Sequence, residues 1–238
     1  IRGAPGARPG RSGLRRPIYQ FSKERGTLGA CRGAQNAAAL QWRRRRRPEP
    51  HQVLSFDQTI NDAAGVKNYQ RFPTLRGRIT KIDGVPVSER EIAVSAEWAV
   101  RGDRVLTYLK DKPSAAKIVA GQWWSPLYRG PPAISLDASL ARGFGVKIGD
   151  TLTLNILGRE VTANILSLRE IDWRSLRFDF AVIFAPGTLE GAPHSHIAAV
   201  GVHPNGEDAL EKAATDPFPN ISSIRVREAL AAAINQLS

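Results

Sequence analysis

Two histidines placed two residues apart, His194 and His196, offer metal-binding chemistry. In an extended strand, residues i and i+2 point to the same face, so both imidazoles could ligate one zinc ion. A complete site needs further ligands, and no Cys, Glu or His at a recognised spacing supplies them. We therefore favour a loop pair without metal and predict no metal site.

Acidic and basic side chains alternate between residues 169 and 179. Paired carboxylates can perform acid–base catalysis when their surroundings push their pKa values apart. An equal number of arginines favours surface ion pairs instead, with Trp173 and Phe178 as anchors in a core or an interface. The charged residues are Glu170, Asp172 and Asp179 together with Arg169, Arg174 and Arg177. No Ser/His/Asp or lysine-centred pattern occurs, so we predict no catalytic residues and a chain that is not an enzyme.

Three glycines, Gly143, Gly145 and Gly149, resemble part of a dinucleotide-binding fingerprint. That fingerprint needs a small residue where Ile148 stands, and it should follow a strand and open a helix. Here the glycines follow a predicted helix and precede a predicted strand. We interpret them as a helix end and a turn, and predict no cofactor.

Three aromatic residues, Trp123, Trp124 and Tyr128, lie beside prolines. Exposed aromatics anchor interfaces, so this segment could be a ligand or partner surface. It could equally cap a small core.

Five consecutive arginines occupy residues 43–47, next to Trp42. They could clamp phosphates while Trp42 stacks on a base, or they could form a solvated basic segment. No zinc-finger, RNP or helix-turn-helix pattern accompanies them. A third alternative is that residues 1–52 are non-native, since their Arg/Gly/Ala/Pro bias is typical of GC-rich DNA translated out of frame.

Charge divides the chain at about residue 52. Residues 1–52 carry +11 of the net charge of +12, contain neither Val nor Asp, and hold the one cysteine, Cys31. Such a segment cannot bury enough apolar surface to offset its ordering entropy, so we predict that residues 1–52 are disordered. Residues 53–238 carry +1 and suffice for one core-containing domain. No apolar run is long enough to span a bilayer. The absence of any methionine, even at position 1, predicts that the chain is a piece of a longer product.

The pattern of residues 53–238 predicts an α+β fold with mixed, largely antiparallel strands and packed helices. The clearest signal is a hairpin in which Leu152, Leu154 and Ile156 alternate with polar residues up to a turn near Gly158. Leu154 should face the core, and Thr153 the solvent or a polar face. Helices are predicted at 55–65, 88–101, 135–145, 206–214 and 226–238, and further strands at 75–82, 104–109, 116–124, 178–186, 196–202 and 221–226.

Several segments together resemble the extracytoplasmic domain of an ABC-transporter permease. They include TLRGRITKIDGVPV, KIVAGQWW and GVKIGDTLTL, and most specifically LSLREIDWRSLRFDF followed by VIFAPG. The similarity is to the FtsX/MacB superfamily, in its YbbP-type branch, and runs from about Val53 to Ser238. In that family an apolar strand should begin the domain, at the place held here by QWRRRRRPEPHQ.

The resemblance implies a MacB-like periplasmic core domain, in which a mixed α+β part joins a more β-rich part. It implies a permease of the bacterial inner membrane with this domain on the periplasmic side. A separate ABC ATPase subunit, a homodimer of the full permease and an unknown substrate or periplasmic partner are also implied. The domain transmits ATP-driven motion and is not catalytic, and no nucleic acid is expected for residues 53–238. The alternatives are a nucleic-acid-binding protein that uses the basic tail, and a stand-alone periplasmic binding module.

Overall fold

The computed structural model describes residues 37–42, 50–114, 116–171 and 179–225. Helices and strands alternate irregularly through these ranges. The strands are β1 Ala37–Trp42, β2 Val66–Ile82, β3 Val85–Pro86, β4 Arg104–Tyr108, β5 Lys117–Gly121, β6 Ala133–Asp137, β7 Thr151–Ile156, β8 Arg159–Glu170, β9 Val182–Phe184, β10 Ser195–Val202 and β11 Ile221–Arg225. The α-helices are α1 Pro50–Asp62, α2 Glu97–Val100, α3 Ala138–Phe144 and α4 Glu207–Thr215, with single 3₁₀ turns at Val87–Glu89 and Pro204–Gly206.

A four-stranded antiparallel layer is formed in the order β11-β1-β10-β2. Helices α1 and α4 pack on one face of it, because Phe56 and Ile60 of α1 and Leu210 and Ala214 of α4 form an apolar stripe. These side chains are buried against Ala198 and Val200 of β10 and Leu40 of β1. We call β11, β1, β10, the first half of β2, α1 and α4 the four-stranded layer.

The long strand β2 continues from this layer into a second region. It pairs with β10 over residues 66–74, with β4 over residues 74–77 and with β7 over residues 77–82. The chain of pairings β2-β4-β9-β6-β8-β7 returns to β2, so six strands form a closed sheet. Its interior holds the largest apolar cluster, including Ile79, Leu106, Leu154, Ile165 and Phe184, with α3 packed against it.

The predicted α+β class with mostly antiparallel strands is confirmed; β4 with β9 and β6 with β8 are the parallel pairs. The predicted hairpin is also present as β7 and β8. Leu154 is fully buried as expected. Thr153 is buried too, and its hydroxyl contacts that of Thr162 at 2.9 Å, so it meets a polar partner rather than solvent.

The boundary predicted for the disordered tail is wrong in part. Residues 37–42 form β1, between β10 and β11, and α1 begins at Pro50, before residue 52. Strand β1 lies immediately before the arginine run. The other residues of the predicted tail, 1–36 and 43–49, lie outside the described residues.

The single helix predicted for residues 88–101 is also wrong. Only a 3₁₀ turn and the four-residue α2 are helical there. Arg90 donates to the carbonyl of Phe144, and the amide of Ala93 donates to the carbonyl of Gly143. These hydrogen bonds to the end of α3 replace the bonds that a continuous helix would make within the segment. Leu136, predicted to be helical, belongs to β6.

Among the described residues, no helix combines the length and the apolar character needed to cross a bilayer. The helix predicted for residues 226–238 lies outside them.

Candidate functional site

The first and last described strands, β1 and β11, are neighbours in the sheet. Strands β1 and β11 are antiparallel, and Ala38 lies opposite Arg225 while Trp42 lies opposite Ile221. The first residues of β1 and the last residues of β11 therefore lie side by side at one end of the sheet edge. We call this place, made of Ala37, Ala38, Ile224 and Arg225, the paired ends.

Arg225 fixes the paired ends to α4. Its Nη2 donates to Asp208 and to Glu211, both at 2.6 Å, and its Nε donates to Glu211 at 2.9 Å. The bonds to Glu211, followed by those to Asp208, raise the pKa of Arg225. A guanidinium shared by two carboxylates holds the last residue of β11 in a defined orientation.

The opposite end of β11 is fixed to α1. Gln52 and Asn220 exchange two amide hydrogen bonds of 2.8 and 3.1 Å. The hydroxyl of Ser222 donates to the carbonyl of Gln41 in β1 at 3.2 Å. Helix α4 is thus bonded to β11, and α1 is bonded to the residue just before it.

A polar cluster lies where β2 passes from the layer to the closed sheet. Arg71 forms a two-pronged ion pair with Asp57 of α1, at 2.7 Å from Nε and 2.8 Å from Nη2. Its Nη1 lies 2.9 Å from Nδ1 of His196, and Tyr69 donates to Asp57. We call Asp57, Tyr69, Arg71 and His196 the Arg71 cluster.

Burial and charge shift the pKa values within this cluster. Burial, the Arg71 charge and neighbouring His194 lower the pKa of His196 to about 4. Burial followed by the bond to Asp57 raises the pKa of Tyr69. Burial alone would lower the pKa of Arg71, but the bonds to Asp57 outweigh it and raise that pKa. His196 is therefore neutral, and Asp57 and Arg71 form a charged pair.

The two histidines singled out from the sequence do come together. Their rings meet edge to face, with centroids 5.1 Å apart. Arg71 brings a positive charge to Nδ1 of His196, which disfavours a cation at that nitrogen. Within the described ranges, no group of three or more His, Cys, Asp or Glu side chains has the arrangement of a metal site.

Arg169, predicted to join a surface ion pair, is fully buried. It donates to Asp179 at 2.8 Å, to the hydroxyl of Ser135 at 2.9 Å and to the carbonyl of Phe180. Burial lowers the pKa of Arg169, and Asp179 opposes that shift. Glu170, in contrast, does form an exposed ion pair, but it accepts from Lys117 of β5 at 2.6 Å and not from one of the neighbouring arginines.

Sequence alternation could have identified the burial of Arg169. Ala163 and Ile165 of β8 point inward, and the same period of two reaches Ser167 and Arg169, which are both buried. The other members of that charged segment, Asp172, Trp173, Arg174, Arg177 and Phe178, lie outside the described residues.

The aromatic segment is partly core. Trp124 is 5% exposed, donates to the carbonyl of Leu109 at 2.8 Å and packs with Phe72, Ile183 and Phe180. Trp123 stacks on Trp124 with ring centroids 4.1 Å apart and remains partly exposed. The sequence allowed either a partner surface or the cap of a small core at this segment. Trp124 takes the second role, because its side chain is buried in a core cluster.

Gly145 and Gly149 take the positions expected of a helix end and a turn, whereas Gly143 lies inside α3. Gly145 follows α3 with a φ of 65°, and its amide donates to the carbonyls of Ala141 and Arg142. Gly149 has a φ of 94° before β7. These left-handed conformations stop the helix and turn the chain into the hairpin.

Comparison with known proteins adds to this geometry. Over 158 residues, which are 65% of this chain, the sequence is 32% identical to the uncharacterised ABC transporter permease YbbP of Escherichia coli (strain K12). The similarity to the YbbP-type branch that the sequence predicts is confirmed by this match. The chain spans 18% of the length of YbbP, and no protein-family model matches it.

A solved structure described as a domain of a permease protein from Porphyromonas gingivalis is also similar. The match covers 80% of this chain and 89% of that chain, with a TM-score of 0.43 and 11% identity. Values this low do not establish a common fold.

Proposed function

We propose that this chain is the extracytoplasmic domain of an ABC-transporter permease subunit, and that it transmits ATP-driven motion to an exported or periplasmic substrate or partner. The observation that carries the proposal is the position of the paired ends, taken together with the relationship to YbbP. A domain placed between two successive membrane helices must receive and return the chain at one place. The first and last described strands, β1 and β11, are neighbours, which fits that arrangement.

The strand order supports a mechanical role. A displacement at the paired ends acts on β1 and β11, and the continuous ladder through β10 reaches β2. β2 is 17 residues long, so it spans about 55 Å when extended, and it continues from the layer into the closed sheet. Motion of the layer as a rigid body would therefore reach the closed sheet through one strand.

The proposal includes the remaining parts of the system. The permease pairs with an ABC ATPase subunit, forms a homodimer and lies in the bacterial inner membrane, with this domain in the periplasm. The MacB-like core domain extends over residues 53–238 and gains β1 at residues 37–42. Its role is non-catalytic, without metal, cofactor or nucleic acid.

Cysteine labelling tests the location. In the full permease with Cys31→Ser, Val94→Cys offers an exposed thiol, because Val94 is 84% exposed. A membrane-impermeant maleimide should label it in intact cells, whereas the buried control Leu154→Cys should stay unlabelled. Labelling of Val94→Cys only after cell lysis would contradict an extracytoplasmic domain.

Spin-label distances test the transmission. Leu54 of α1 is 69% exposed, so cysteines at positions 54 and 94 report on the layer and on the segment beside the closed sheet. In the reconstituted permease with its ATPase, the distance between the two labels should differ between ATP-bound and nucleotide-free states. Identical distance distributions in both states would overturn transmission and leave the location intact.

A further inference from the structure

We propose that Asp57, Arg71, His196, His194 and Tyr108 form a connected series of contacts that couples the position of α1 to the closed sheet at Tyr108. The inference deepens the proposed function and rests on it for its biological meaning. The coupling itself is a property of the purified chain, which allows it to be tested separately.

The first contact joins α1 to β2. Asp57 receives two hydrogen bonds from Arg71, of 2.7 and 2.8 Å, and a third from Tyr69. Both members of the ion pair are 23% exposed at the side chain, so water screens the pair only in part. A two-pronged pair is directional, so a shift of α1 must either break the pair or displace the Arg71 side chain.

The second contact joins β2 to β10. Nη1 of Arg71 lies 2.9 Å from Nδ1 of His196. A guanidinium can only donate, so Nδ1 accepts this bond and the imidazole proton is on Nε2. His196 is 7% exposed, which makes loss of this bond costly because no water replaces it readily.

The third and fourth contacts lead into the closed sheet. His196 meets His194 edge to face at 5.1 Å, and His194 meets Tyr108 edge to face at 5.8 Å. His194 also contacts the carbonyl of Ala192 through Nδ1 at 2.9 Å. Tyr108 and Ala192 pack against the core of the closed sheet, and Tyr108 pairs with Phe184 in β9.

The series crosses the molecule at the point where β2 changes partners. His196 lies opposite Pro73, and the next pair, Ser195 with Thr74, is the last between β10 and β2. From Thr74 onward, β2 pairs with β4, the strand that carries Tyr108. The side-chain contacts therefore connect the layer to the closed sheet beside the backbone connection made by β2.

Hydrogen exchange of the purified 238-residue chain tests the coupling. Asp57→Asn removes the charge and keeps the side-chain shape. We expect exchange to become faster by about threefold or more in peptides that cover Tyr108 and residues 187–194, as well as in α1. The matched control Asp62→Asn, an exposed change at the end of the same helix, should leave Tyr108 unaffected. Faster exchange confined to α1 and β2 would overturn the proposal.

Two further variants test the series of contacts, one at His194 in its middle and one at Tyr108 at its far end. With His194→Leu present, Asp57→Asn should no longer alter exchange at Tyr108. Because coupling is reciprocal, Tyr108→Leu should speed exchange around Asp57. Strictly additive effects of Asp57→Asn and Tyr108→Leu would show that the contacts are independent. Absence of coupling in this chain would leave the permease proposal untouched, because that proposal rests on the paired ends and the similarity to YbbP and is tested separately by labelling in cells.

Discussion

The four-stranded layer and the closed sheet share strand β2, yet they are stabilised in different ways. Among the described residues, the cluster inside the closed sheet has 21 buried apolar residues and that of the layer has 11. Each strand of the closed sheet has a neighbour on both sides, whereas β11 forms an edge of the layer. Side-chain polar bonds of Arg225, Asn220 and Arg71 also join the strands of the layer to its helices.

This difference assigns different mechanical properties to the two regions. A closed sheet around a large apolar core resists local opening, because separating one strand exposes the interior. An edge strand held by exposed or half-buried polar bonds opens at a smaller free energy. The region that contains the paired ends is thus the more adjustable one, and the region farther along β2 is the more rigid one.

The largest effect is expected from a charge placed inside the closed sheet. Leu154→Asp buries a carboxylate among apolar side chains at a fully buried position, and should lower the free energy of unfolding by about 4 kcal/mol or more. Urea denaturation of the purified chain measures this loss. The control Leu157→Asp lies in the exposed β7–β8 turn and should change stability by about 0.5 kcal/mol or less. Equal losses would mean that the closed sheet lacks the described core.

Arg169→Met should give the second-largest loss. It removes the hydrogen bonds that the buried guanidinium donates to Asp179, the Ser135 hydroxyl and the Phe180 carbonyl, at a cost of about 3 kcal/mol. Lys117→Met removes the exposed pair with Glu170 on the neighbouring strand and should leave the denaturation midpoint nearly unchanged. A Lys117→Met variant as unstable as Arg169→Met would refute the distinction between buried and exposed pairs.

Local sequence patterns predicted the elements that depend on local rules. The β7–β8 hairpin follows from alternation around a turn, where Leu157 and Gly158 have φ values of 53° and 88°. The Asp83–Gly84 turn follows from the same chemistry, with φ values of 51° and 76°. Both are fixed by residues that are near one another in the chain.

Elements decided by distant contacts could not be predicted in this way. β1 has the sequence AAALQW, which has little strand propensity, and it is extended because β10 and β11 pair with it on both sides. The segment around Ala93 is not helical because its amide bonds to Gly143, fifty residues away. The Arg71 cluster joins Arg71 to His196 across 125 positions, and no spacing rule connects them.

The junction between the two regions should respond to acid. The pKa of His196 is lowered to about 4 in the folded chain, against about 6.5 when unfolded. Between these values the unfolded chain binds more protons, so acid favours unfolding. The contribution of His196 is complete above pH 6.5 and is lost as the pH falls towards 4, by about 2 kcal/mol.

Denaturation at a series of pH values tests this prediction. His196→Asn keeps an acceptor for Arg71 without a titrating ring, so stability should depend less on pH between 6.5 and 4 than in the unchanged chain. His203→Asn, at an exposed position, should keep the full dependence. Equal pH profiles for the His196 variant and the unchanged chain would contradict a buried, neutral His196.

The smallest effect is expected at the polar bonds of the layer. Asn220→Ala removes both amide bonds with Gln52, and should lower the free energy of unfolding by about 1 kcal/mol because both residues are only partly buried. The change should be concentrated in β11, where hydrogen exchange should become faster, while exchange in β7 and β8 should stay the same. Asn205→Ala, at an exposed position before α4, serves as the matched control and should alter neither. If Asn220→Ala accelerated exchange equally in β11 and in the closed sheet, the two regions would open together. The layer would then not be the more adjustable region, and a displacement at the paired ends would have to move the whole domain as one body.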